Sequence, residues 1–325
     1  MVKQTDVLMV GCGVSGLYAA LHLDPGLSVL MLSKKELSLS NSALAQGGVA
    51  AVLDPEHDAF ANHIQDTLIA GSHMNDIRSV EMLVGQGPDN VRRLIELGVD
   101  FDKDADGGIH MTLEGGHSRA RIVHHKDSTG KEIVDTLMAK VLQQPHIQIA
   151  ENAYLAELKR VEDGFCGRVL VGEDEFLVKA RYCVMVSGGV GRVYEYTTNS
   201  AISTGDGIAL AYRLGAAVKN MSLIQFHPTA FAARQGRERF LISEAVRGEG
   251  AVLLNCHGRR FMEAYDDRLE LAPRDVVSRA ILLESKKTGS ERFYLDITMK
   301  DAGYLKDRFP MIYARCLEEG GDITK

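Results

Sequence analysis

The sequence predicts an α/β fold: a mostly parallel sheet with helices and a small antiparallel insert, followed by an α+β part. Three observations predict it. A short apolar strand runs straight into a glycine-rich turn and a helix near the N-terminus. A second, continuous apolar run follows, as expected for a strand covered on both faces. Alternating segments then cluster between Ile147 and Val186. At 325 residues the chain is long enough for two domains and a sizeable core. The expected division is 1–219 and 220–325.

Asp6–Val10 reads as the first strand, Gly11-Cys12-Gly13-Val14-Ser15-Gly16 as the turn, and Leu17–Leu23 as the helix. This is G-x-G-x-x-G in the strand–turn–helix setting that gives the motif meaning. Gly11 permits the turn, Gly13 lets backbone approach a pyrophosphate, and Gly16 lets helix pack on strand. The anion then lies at a helix N-terminus, where amide N–H groups and the dipole favour it. Such a frame is Rossmann-like. Asp24-Pro25-Gly26 stops the helix, and Ser28–Leu32 is the second strand. A carboxylate closing that strand would hold ribose hydroxyls, but Ser33 and Lys34 stand there. The motif therefore leaves NAD and FAD open. Lys34 either donates to adenosine oxygens or is a solvated strand-end lysine. In Asn41-Ser42-Ala43-Leu44-Ala45-Gln46-Gly47-Gly48, adjacent glycines bare the backbone. They either lie against a flat ring or pyrophosphate, or turn into another strand.

Glu56–Ala70 and Asp76–Leu97 have amphipathic helical spacing. From His110 to His125, glycines alternate with charged and imidazole side chains, including Glu114, which suggests a loop brought close to a ligand. The four histidines there lack ligand spacing and have no cysteine beside them, so no metal site is expected. Ile147–Ala150, Ala153–Val161, Arg168–Val171 and Glu175–Lys179 read as the antiparallel insert, and Tyr182–Val186 as a separate strand returning to the main sheet. That strand ends in Ser187-Gly188-Gly189, a second glycine-rich strand end where a cofactor could lie. Asp206 stands before the helical run Ala209–Leu214, where a carboxylate gains about 0.3–1 kcal/mol from the dipole.

Three later stretches carry candidate chemistry. In Gln225-Phe226-His227-Pro228-Thr229 the proline holds His227 in extended backbone. An imidazolium there could bind a carboxylate, while a structural histidine is the bland alternative. Ser243-Glu244-Ala245-Val246-Arg247-Gly248-Glu249 places a hydroxyl, two acids and an arginine together. Those charges need partners if buried; otherwise the stretch is a solvated, salt-bridged loop. In Ala272-Pro273-Arg274-Asp275, Arg274 projects from a predicted helix N-terminus, where a guanidinium fork and the dipole together suit a carboxylate.

Taken in order, Ser33-Lys34, A-Q-G-G, Q-F-H-P-T, S-E-A-V-R-G-E-G and A-P-R-D-V-V-S-R resemble the fumarate reductase, succinate dehydrogenase and aspartate oxidase superfamily of FAD enzymes. Thr112–Arg121 (T-L-E-G-G-H-S-R-A-R) and A-P-R-D resemble its L-aspartate oxidase branch. The resemblance implies FAD held through Gly11–Gly16, Lys34, Asn41, Ser42, Ala45–Gly48, Gly188, Gly189 and Asp206. Respiratory members carry flavin covalently on a histidine before A-Q-G-G. Asn41, Ser42 and Ala43 stand there, which implies a non-covalent cofactor. It also implies oxidation of L-aspartate to iminoaspartate, with O2 or fumarate as acceptor, as the first step of NAD synthesis through quinolinate. His227, Gln225 and Ser243 would bind the substrate, Glu114 its amine, and Arg274 would transfer a proton or clamp a carboxylate. A soluble fumarate reductase and an inactive FAD-binding fragment are the alternatives.

A net charge of −7 with no basic cluster argues against a nucleic-acid surface. No apolar run approaches a membrane span, and no signal-peptide layout is visible. Five scattered cysteines read as reduced thiols, which makes the cytoplasm the default location. Members of the resembled family continue past the position of Lys325 with a second substrate histidine, a segment returning to the FAD domain and a helical domain. The expectation is therefore a truncated chain with both domains incomplete.

Overall fold

The computed structural model describes residues 2–232 and 236–325. In chain order the elements are β1 (Val2–Val10), α1 (Val14–Ala20), β2 (Val29–Leu32), β3 (Val49–Ala50), α2 (Phe60–Ala70), α3 (Ile77–Leu97), β4 (Met111–Thr112), β5 (Ile122–Val123), α4 (Thr129–Val141) and β6 (Ile147–Ala150). They continue with β7 (Ala153–Val161), β8 (Gly164–Val171), β9 (Asp174–Met185), α5 (Asp206–Arg213), α6 (Glu244–Gly248), β10 (Val252–Leu254), α7 (Arg274–Thr288), β11 (Tyr294–Asp296), α8 (Ala302–Arg308) and α9 (Pro310–Glu318). Two compact units interleave along the chain. The first comprises Met1–Ala45, Gly130–Ile224 and Gln235–Arg239; the second comprises Gln46–Thr129, Gln225–Arg234 and Phe240–Lys325.

The first unit is built on a six-stranded sheet, order β6-β2-β1-β9-β8-β7. β6, β2, β1 and β9 run parallel, and β9, β8 and β7 form an antiparallel meander. All four residues of β2 are buried, which explains its unbroken apolar text. Leu8, Val10, Leu30, Leu32, Leu155, Val169, Val178 and Leu210 form one core. One expectation fails here. The insert strand at Glu175–Lys179 and the returning strand at Tyr182–Val186 are a single strand, β9, which pairs antiparallel with β8 and parallel with β1. No glycine or proline interrupts Asp174–Met185, so one pleated strand serves both partners.

In the second unit β3, β5 and β4 make a small antiparallel sheet. α3 starts where its spacing predicts, with Asp76 capping through the Ser79 amide. α2 starts at Phe60, later than its periodicity suggests, because the Asp54 side chain and carbonyl hold Glu56 and Asp58 in a turn. α7 begins at Arg274 with Pro273 as its N-cap residue, and buries Val277 and Ala280. No helix among the described residues is long and apolar enough to cross a membrane. Those residues also place no group of three or more His, Cys, Asp or Glu to hold a metal.

Candidate functional site

In the first unit, the three motif glycines do different steric work. Gly11 has φ +121°, and a Cβ there would lie 2.3 Å from the Val186 carbonyl oxygen. A Cβ on Gly16 would lie 2.3 Å from the Gly11 carbonyl oxygen, so α1 packs directly on the turn. Gly13 is the N-cap residue of α1 and contributes no side-chain bond, while the Val14 amide donates to Ser42 Oγ at 3.1 Å. Beside this turn is a cavity of about 250 Å³ lined by Gly11, Cys12, Gly13, Ser15, Lys34, Asn41, Ser42, Gly188 and Asp206, among others. Pockets that enclose a whole drug-sized ligand are roughly 300–1,000 Å³. This one is the size for part of a dinucleotide.

Lys34 is not a bare donor. Its ammonium pairs with Asp206 and donates to Thr204 Oγ1 at 2.5 Å. Burial pushes the Asp206 carboxyl up, but Lys34 and Thr204 outweigh it and hold the group below its usual range. Asn41 Nδ2 donates to Asn199 Oδ1 and Ser203 Oγ at 2.8 and 2.6 Å, and its Oδ1 accepts the Ser200 amide, which ties the loop after β2 to the segment before α5. Ala45 accepts the Gly130 amide at 2.9 Å. A Cβ on Gly189 would meet nothing.

The second unit gathers most of the other candidates. Gly48 packs on β5, since a Cβ there would lie 2.2 Å from the Val123 carbonyl oxygen. Its amide also bonds to the buried Glu114 carboxylate. A point one bond out from Gly47 lies 3.5 Å and 3.7 Å from the two Glu114 oxygens and 4.0 Å from Ser243 Oγ, so these three groups converge. Gln46 is buried, with no partner for Oε1 among the described residues. Burial and the nearby Glu244 charge raise the Glu114 pKa, against the Gly48 amide and the charges of Arg274 and Arg308.

Glu244 is the residue that sequence reasoning missed. The stretch from Ser243 is no solvated loop: Ser243 caps α6 through the Ala245 amide, and Glu244 and Arg247 are buried. Glu244 Oε1 accepts from Arg247 Nη2 at 2.7 Å, and its Oε2 accepts from Arg274 Nε at 2.7 Å. Arg274 Nη1 donates to Gln225 Oε1 at 2.7 Å. One carboxylate therefore bridges two guanidiniums, and burial holds Arg247 below the usual arginine pKa. The signal available in sequence was the Glu and Arg three residues apart, which face each other on one helical turn.

His227 requires a correction. It is not an imidazolium: burial, then the charges of Arg274 and Arg247, lower its pKa to about 3. Nδ1 accepts the Thr229 amide at 3.3 Å, which puts the proton on Nε2, a buried atom with no partner among the described residues. A neutral N–H donor is on offer instead of a cation.

The family model described as an FAD binding domain matches residues 6–325. The chain is 44 % identical over 327 residues to the L-aspartate oxidase of Clostridium perfringens, covering 100 % of this chain and 72 % of that protein. It is 45 % identical to L-aspartate oxidase 1 of Ralstonia nicotianae, covering 98 % and 62 % respectively. Among solved structures, Escherichia coli quinol-fumarate reductase is similar at TM-score 0.91 and 28 % identity, over 100 % of this chain and 59 % of that one.

Proposed function

The chain belongs to the L-aspartate oxidase family of flavoproteins, and from that premise we propose that it oxidises L-aspartate to iminoaspartate with FAD as a non-covalent cofactor. The FAD-holding residues would be Gly11–Gly16, Lys34, Asn41, Ser42, Ala45–Gly48, Gly188, Gly189 and Asp206, within residues 1–219. The carboxylate-binding groups would come from 220–325. Support for cofactor binding comes from the glycine turn Gly11–Gly13 beside its cavity and from Gln46 Oε1, which has no partner among the described residues. When bound, FAD supplies the acceptor for a hydride from the substrate Cα.

The protein's own groups would bind, orient and move protons. A dicarboxylate meets the neutral Nε2–H of His227, the Ser243 hydroxyl and the Arg274 fork. Glu114 is the observation that carries the choice of substrate. A buried carboxylate beside the charge of Glu244 is costly unless it receives a cation, and the ammonium of aspartate is that cation. Its raised pKa also suits it to take up a proton as the C=N bond forms. Arg274, with Glu244 and Arg247 behind it, forms a charge-assisted chain able to pass a proton. The reading assigns O2 or fumarate as acceptor, a cytoplasmic setting, and quinolinate synthase as the user of the product. An anaerobic visible spectrum of the FAD-loaded protein tests it. L-aspartate should bleach the flavin band, and fumarate or air should restore it. Bleaching by succinate but not aspartate would move the protein to the fumarate reductase type; failure to take up FAD would leave a non-catalytic fragment.

A further inference from the structure

Glu114 can discriminate an ammonium only if its loop is held still, and the loop is a nine-residue excursion, 113–121, between β4 and β5. Its base is a two-residue pairing, Met111 and Thr112 of β4 with β5. Behind it is a buried charged network on which the reaction makes no direct call. The Arg121 side chain has no exposure to solvent worth the name, at 1 %. Its Nε and Nη2 donate to the two oxygens of Asp58 at 2.6 and 2.8 Å, and Nη1 donates to Asp66 Oδ2 at 2.6 Å. Nη1 also reaches His117 Nδ1 at 3.1 Å. Asp66 in turn accepts both the amide and the hydroxyl of Ser118 at 2.8 Å.

His117 and Ser118 close the turn that contains Glu114: the His117 amide donates to the Glu114 carbonyl at 3.3 Å, and Gly116 has φ +79°. Gly115 leaves no slack, since a Cβ there would lie 2.3 Å from Glu244 Oε1. A buried ionic network is a poor way to gain stability, because apolar side chains of similar volume often do as well or better. What it can add is a fixed position, since bidentate pairing sets direction as well as distance.

We propose that Arg121, clamped by Asp58 and Asp66, is a positioning residue that holds the 113–121 loop so that Glu114 meets the substrate ammonium. The proposal rests on the reading of function given above. It assigns selectivity for an amino dicarboxylate over an amine-free one to a network that touches neither.

The test is a double-mutant cycle on the FAD-loaded protein with Asp66→Asn and Glu114→Gln. Asp66→Asn should raise the KM for L-aspartate roughly 10- to 100-fold, as expected when a group is displaced by about 1 Å, and change kcat less. Inhibition by succinate, which has no amine, should stay within about twofold of wild type, and adding Asp66→Asn to Glu114→Gln should cost little more, because coupled residues are non-additive. Equal weakening of succinate, or losses that multiply, would overturn the proposal by showing a merely structural role. If Asp66→Asn does not fold, Ser118→Ala removes one bond of the network; it should move aspartate and succinate apart in the same sense, and an equal effect on both would again overturn the proposal. A wild-type protein whose flavin L-aspartate does not reduce overturns the functional reading itself, an outcome distinct from either result of the cycle.

Discussion

Arg274 Nε faces Glu244 while Nη1 faces Gln225, which places the residue both to pass a proton and to clamp a carboxylate. A guanidinium is already protonated and holds its protons tightly, so one proton must pass to a neighbour as another arrives. Glu244 is placed for that, and Arg247 behind it stabilises the ionised carboxylate. Single-turnover flavin reduction at saturating aspartate is therefore expected to fall roughly 10²–10⁴-fold in Arg274→Leu, the usual worth of a general acid–base group. Glu244→Gln should slow the same step. A simple clamp would instead shift the half-saturating concentration and leave the saturated rate intact. At this scale much of the site was legible: Glu114, His227, Ser243 and Arg274 all stand out by residue type and neighbourhood. The charge on His227 was not, because it is decided by burial and by guanidiniums 20 and 47 positions away. Nor was the burial of Glu244, which depends on the Glu114 loop packing against it.

Whole elements were legible where local rules decide them. The N-terminal strand, turn and helix follow from glycine placement, and α3 and α7 from their starting residues. β9 was misread as two strands because strand identity there is set by which partners it meets, and those lie far off in sequence. The glycine turn allows a sharp comparison. Gly16→Ala would drive a Cβ to 2.3 Å from the Gly11 carbonyl oxygen, a backbone atom that cannot swing aside. Overpacking of this kind costs about 1–3 kcal/mol, and the resulting shift of α1 should also lower the flavin-to-protein ratio of purified protein. Gly85 in α3 is the control. A Cβ there meets nothing within 4 Å, so Gly85→Ala should raise the melting temperature, worth about 0.5–1 kcal/mol. Equal melting temperatures for the two variants would show that the close approach at Gly16 is not a constraint.

At the scale of the whole molecule, acid should not act evenly on the two units. Four histidines have lowered pKa values: His63 and His124 to about 4, His227 to about 3, and His117 by direction. All four belong to the second unit. In each, burial disfavours the imidazolium, and nearby guanidiniums add to it. A lowered native pKa means that the unfolded chain binds the proton first, so the contribution is complete above about pH 6.5 and is lost as pH falls toward the native values. His63 and His124, the best buried of these, stand to lose on the order of 1–3 kcal/mol each over that range. Glu114 and Asp127 act in the opposite sense, since burial raises their pKa values and acid relieves them. Two such groups offset part of the loss from four histidines. In the first unit the lowered groups are carboxylates, Asp6, Glu157 and Asp206, whose contributions disappear only as pH falls below about 4. Hydrogen exchange followed by mass spectrometry between about pH 6.5 and pH 4, corrected for intrinsic rates, should therefore show protection lost first in α2 and residues 111–125. β1, β2 and β9 should stay protected over the same interval, and His63→Gln should move the onset to lower pH. Simultaneous loss in both sets of peptides, or earlier loss in β1, would mean that carboxylates and not buried imidazoles set the acid limit of this protein.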